Sequence, residues 1–126
     1  MTNEQGRNAI SWFEIPVTDV DRATKFYSDI FEAAFEPGPS GDSFQMVMFP
    51  ESGVGGALTW GKGYVPSHQG ALVYLNGGDD LNDVLGRVEG AGGKVLEAKI
   101  DIGEGFGFYA YFEDSEGNKV ALHSMG

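Results

Sequence analysis

Residues 44–60 read FQMVMFPESGVGGALTW and residues 108–124 read FYAYFEDSEGNKVALHS. The second stretch lies on the first without a gap, with Phe44/Phe108, Gly53/Gly117, Ala57/Ala121 and Leu58/Leu122 in register. Upstream, residues 12–36 lie on 73–97, so that Trp12 meets Val73 and Asp19/Asp80, Val20/Leu81, Phe35/Leu96 and Glu36/Glu97 coincide. The slack between the two alignments falls in the connecting segments 37–43 and 98–107. The pattern predicts two copies of one supersecondary unit, each too small to bury its own apolar face, which must share a core. A functional site is expected in the concavity between them.

Working outward, residues 9–17 alternate as a strand, with Ile10, Trp12, Glu14 and Pro16 on one face. Thr18, Asp19 and Asp21 offer capping oxygens and first-turn negative charge to a helix with the apolar stripe Val20, Ala23, Tyr27, Ile30 and Phe31. Residues 44–49 and 56–60 read as strands joined by a turn at 50–53. The second copy repeats this order: a strand at 71–75, Asp79 and Asp80 before a helix striped with Leu81, Val84, Leu85, Val88 and Ala91, a stop at Gly92-Gly93, then strands at 94–98, 107–112 and 119–124. The class is α+β, one domain over residues 1–126: a first module at about 9–60, an exposed Gly- and Pro-containing connection at 61–70 (GKGYVPSHQG), and a second module at about 71–124.

Composition narrows the function. Nineteen acidic residues against eight basic ones leave a net charge of -11. A nucleic-acid backbone or an anionic membrane surface would be repelled, so neither is expected as a partner. Without cysteine there is no disulfide, thiolate ligand or cysteine nucleophile. The opening MTNEQGRNAI has no apolar core for a signal peptide, and no run is long enough to span a bilayer, so a cytoplasmic location is expected. GEGFGF at 103–108 has alternating glycines but no helix after it, which removes the context a dinucleotide site needs.

Three segments, FEIPVTDVDRATKFYSDIF at 13–31, LNDVLGRVEGAGGKVL at 81–96 and FEDSEGNKVALHS at 112–124, resemble the vicinal oxygen chelate superfamily of glyoxalase I, bleomycin-resistance proteins and extradiol dioxygenases. The resemblance implies two tandem βαβββ modules forming a cupped eight-stranded mixed sheet with flanking helices, a small-molecule ligand in the cup, and a homodimer. In the family's metalloenzymes a divalent cation is held by His, Gln or Glu on the first and last strand of each module. Those positions fall here on Trp12, Ala57, Val73 and Ala121. Indole, methyl and isopropyl groups offer such a cation no lone pair, so no metal ligand and no cofactor are predicted.

The first expectation is therefore a small-molecule-binding protein whose cavity is lined by Trp12, Ala57, Thr59, Tyr64, Val73, Phe106 and Ala121. Glu14 and His123 each lie two residues from a lining position and are the catalytic candidates. They read either as a carboxylate and imidazole at the cavity wall, able to move a proton or hold a ligand, or as a solvated acid and a strand-end histidine. The alternative is a metal-dependent lyase, isomerase or dioxygenase related to lactoylglutathione lyase, with a displaced ion on Glu14, His123 and His68. A dimeric or regulatory module that keeps the cup without using it is the third reading.

Overall fold

The structure, a computed structural model, describes residues 8–51 and 53–126. The opening segment 1–7 and Ser52 of the 50–53 turn lie outside the described residues. In chain order the elements are β1 (Trp12–Pro16), α1 (Val20–Phe31), β2 (Glu36–Ser40), β3 (Phe44–Met48), β4 (Gly55–Gly61), β5 (Tyr74–Asn76), α2 (Asn82–Val88), β6 (Lys94–Asp101), β7 (Phe108–Glu113) and β8 (Lys119–Ser124). They form two four-stranded mixed sheets, ordered β1-β4-β3-β2 and β5-β8-β7-β6. In each sheet the first strand of the module runs parallel to its last, and the remaining neighbours are antiparallel.

Strand alternation sorts each sheet into two faces. Ile15, Leu58 and Val47 of the first sheet and Leu75, Leu122, Ala110 and Phe112 of the second join Ala23, Phe26, Tyr27 and Ile30 of α1 in a single buried cluster. Burial of each large side chain there contributes roughly 1.5–3 kcal/mol. The helices thus cover one face of each sheet and touch each other. The other face, free of helices, carries the side chains of interest for function.

Helix α1 follows from its caps and stripe. Asp19, extended at φ -136°, accepts from the Arg22 amide at 3.0 Å, and Glu32 closes the helix in the left-handed region at φ 51°. Phe26, absent from the expected stripe, is buried and packs on Phe112 of the second module, ring centroids 6.0 Å apart.

A polar clamp also crosses between modules. The turn after β7 places Glu116 at the start of α1, where its Oε1 accepts from the amides of Thr18 (2.9 Å) and Asp19 (2.8 Å) and its Oε2 from Arg22 Nε (2.7 Å). Burial acts to raise the Glu116 pKa. The hydrogen bonds from Arg22, Asp19, Thr18 and Ser115 outweigh it and hold the carboxyl at about 2. In the same turn Asp114 accepts from the buried Tyr27 hydroxyl at 2.7 Å.

Two expectations need correction. Strand β2 occupies Glu-Pro-Gly-Pro-Ser, of which residues 37–40 were expected in the connection 37–43 that absorbs the slack between the two alignments. It is an edge strand, pairs only with β3, and shifts register between Pro37 and Ser40, which is where prolines are tolerated in a sheet. The second correction concerns Val73. Pro16 pairs with Thr59 and Asn76 with His123, so Asn76 is the counterpart of Pro16 and, counting back, Leu72 rather than Val73 is the counterpart of Trp12. The second module has one residue more between first strand and helix, absorbed at Gly77-Gly78, where Gly78 takes φ +81°.

Candidate functional site

On the helix-free face of the first sheet, β1 presents Trp12 and Glu14 beside Gly55 and Ala57 of β4, and Thr59 follows, level with Pro16 and Met46. The 61–70 connection is largely exposed but sends Tyr64 back towards β1. It turns after Gly61, and the Tyr64 hydroxyl donates to Glu14 Oε1 at 2.6 Å, while Trp12 Nε1 donates to Oε2 at 3.3 Å. A Cβ on Gly61 would touch the Tyr64 ring at 3.5 Å, so the phenol runs from Gly61 to Glu14 along the strip of β4 that carries Thr59 and Ala57. Both of those residues are 0% exposed. The Thr59 hydroxyl, buried in that strip, has no hydrogen-bond partner. The hydrogen bond from Tyr64 to the Glu14 carboxylate, helped by burial and the Glu14 charge, raises the Tyr64 pKa, so the phenol stays protonated.

The helix-free face of the second sheet is aromatic. Tyr74 of β5 pairs with Ala121 and Asn76 with His123, and across β8 the same face continues to Tyr111 and Tyr109. Phe108, Ala110 and Phe112 point the other way, into or against the core. Tyr109 and Tyr111 lie 5.2 Å apart between ring centroids, Tyr74 meets Tyr111 edge-on at 6.5 Å, and Lys119 Nζ stands 4.3 Å from the centre of the Tyr111 ring. The hydrogen bond to Tyr111, then burial, pushes the Tyr74 hydroxyl up to about 12, leaving it a neutral donor. An open cleft of about 750 Å³ adjoins this surface at the strand ends, bordered by Tyr74, Asn76, Asp79, His123 and Met125.

The structure groups Trp12, Glu14 and Tyr64 around buried Ala57 and Thr59. It places His123 elsewhere, with Nε2 donating to the carbonyl of Phe106 at 2.8 Å, and Phe106 itself is 62% exposed. Ala121 lies buried between Tyr74 and Tyr111. Val73 packs against the core and borders a cleft of about 90 Å³ that also touches Glu14 and Lys119. His68 pairs with Glu113 at 2.7 Å, so Glu14, His68 and His123 take separate partners. Among the described residues no group of three or more His, Asp or Glu side chains is placed to hold a metal ion. Sequence reading left open which half of residues 108–112 faces outward. The tyrosine hydroxyls alternating with Phe in FYAYF were the available signal, because a buried hydroxyl needs a partner.

The two βαβββ modules joined through one core, with a helix-free face on each sheet, define the class. Residues 9–122 match the Glyoxalase/Bleomycin resistance protein/Dioxygenase superfamily, and the chain belongs to it. Among particular proteins it is similar to a glyoxylase-like domain-containing protein of Didymella fabae, 36% identical over 122 residues, with 90% of this chain and 91% of that one covered. Among solved structures it is similar in fold to a fosfomycin resistance protein of Listeria monocytogenes (TM-score 0.66, 17% identity, 93% of this chain and 90% of that one). Glyoxalase I of Zea mays also matches (TM-score 0.66, 19% identity, 91% of this chain), although this chain spans 44% of that one.

Proposed function

We propose that this chain binds a small organic molecule on the helix-free side of its sheets and does so without the divalent-metal centre of its family's metalloenzymes. The observation carrying this reading is the matched pair Ala57 and Ala121, each beside the first strand of its module, where a ligating side chain would be needed. The first-strand counterparts Trp12 and Leu72 are no better donors. Hard and borderline cations take carboxylate, imidazole or carbonyl donors, so the residues present do not fit the ion.

What remains is recognition by aromatic walls and a few polar groups, the ordinary build of an organic-ligand site. Glu14 supplies an acceptor, Trp12 a flat wall, and Tyr74, Tyr109 and Tyr111 a second aromatic surface carrying hydroxyls. The net charge of -11 disfavours polyanionic ligands. No helix among the described residues is long and apolar enough to cross a membrane. A homodimer is the proposed assembly, supported by exposed Tyr74, Phe106 and Met125 on the second module.

The test is metal analysis of protein purified without chelator, together with thermal denaturation against a panel of aromatic and amphipathic small molecules. Substoichiometric metal and a ligand-dependent rise in melting temperature without turnover are expected, because a ligand of the native state stabilises by mass action. A stoichiometric divalent ion whose removal abolishes turnover would replace this reading with the metalloenzyme one.

A further inference from the structure

We propose that Tyr64 is an internal occupant of the first module's binding site, and that the ligand replacing it there is a phenol-sized aromatic bearing a hydroxyl. This rests on the small-molecule reading above and specifies its ligand. Three observations meet at one place. The Tyr64 hydroxyl donates to Glu14 at 2.6 Å from a segment that belongs to neither sheet. The strip of β4 along which the phenol runs includes Thr59, whose hydroxyl is buried and unpartnered. Trp12 stands beside the carboxylate and supplies the flat wall a planar ring would stack on.

An unpaired hydroxyl on the same strip of the sheet is a hydrogen-bond group that the Tyr64 phenol does not use. A free ligand with a second polar group would engage Thr59 as well as Glu14. The Tyr64 side chain gains only the Glu14 bond and leaves at modest cost, since it directly follows Gly63, which takes φ +88°, and lies three residues after Gly61. Binding in the intact protein is then weakened by the fraction of time Tyr64 fills the site.

The probe is p-cresol, the tyrosine side chain as a free molecule, with toluene as the control lacking the hydroxyl, titrated calorimetrically into the intact chain. Replacement of Tyr64 by Gly is expected to tighten p-cresol binding by about tenfold or more over the parent, and the preference for p-cresol over toluene should also reach about tenfold. Tyr64→Phe, which keeps the ring and loses the bond to Glu14, should fall between, and adding Glu14→Ala to Tyr64→Gly should remove the preference. No gain on removing Tyr64, or toluene binding as well as p-cresol, overturns the proposal. Repeating the titration on chelator-treated protein separates the two claims. Binding that vanishes with the metal sinks the metal-free reading, and metal-independent binding without discrimination sinks only the role of Tyr64.

Discussion

Glu116 of the second module and Arg22 of the first are joined at 2.7 Å, with the Glu116 side chain wholly buried against the start of α1. Because the folded carboxyl titrates at about 2 against an ordinary 4.5, its contribution to stability is present above pH 4.5 and is lost as pH falls from there towards 2. Glu116→Gln should lower stability at neutral pH by about 1.5–3 kcal/mol, the worth of charge-assisted hydrogen bonds. Urea titrations across the acid range should show parent and variant converging below pH 4.5.

Tyr27 is the buried partner of Asp114, and burial, followed by the Asp114 charge, raises its pKa well above 10. The phenol should not ionise in the native protein. Its contribution is complete below pH 10 and is lost as pH climbs beyond, so spectrophotometric titration should find one tyrosine that ionises only as the protein unfolds. Tyr27→Phe should cost about 1.5 kcal/mol, near the low end for such a bond, because Asp114 keeps its bonds from Asn118.

Gly56 lies on β4 directly under the Phe13 ring, which packs edge-on against Phe49 at 5.0 Å between centroids. A methyl group there would drive into that ring. Gly56→Ala should destabilise by about 1–3 kcal/mol, the range for overpacking a filled core, as measured by chemical denaturation.

Thr59→Val should act in the opposite direction. Removing a buried hydroxyl without a partner, while keeping the branched shape a strand prefers, is expected to raise stability by about 1 kcal/mol in thermal denaturation. If Thr59 meets the ligand as inferred, p-cresol derivatives carrying a second polar group should lose their advantage over p-cresol itself in that variant.

Much of this architecture was legible beforehand. Asp19 before Val20 and the alternation at Trp12 and Glu14 each rest on local rules of capping and strand period, and each holds in the structure. What failed to show was register and reach. One additional residue near Gly78 turned Val73 over, and period-two logic cannot detect an insertion between two strong elements. Residues 37–40 of β2 were assigned to a connection because the repeat alignments put their slack there, and alignment does not reveal that a proline-containing stretch will pair as an edge strand. Glu14 was legible as a candidate, but its partner was not: Tyr64 is 50 residues away, and nothing local says that a glycine-rich connection folds inward.

The clamp at Glu116 runs in one direction only. The start of α2 is served from within its own module, with the Leu81 amide on Ser124 Oγ at 2.9 Å and the Asn82 amide on Asp80 at 2.9 Å. The two modules are therefore not interchangeable. A duplicate of the first half alone would lack the acidic turn that finishes its helix, whereas a polypeptide written with the halves in reverse order would still carry every group of the fastening.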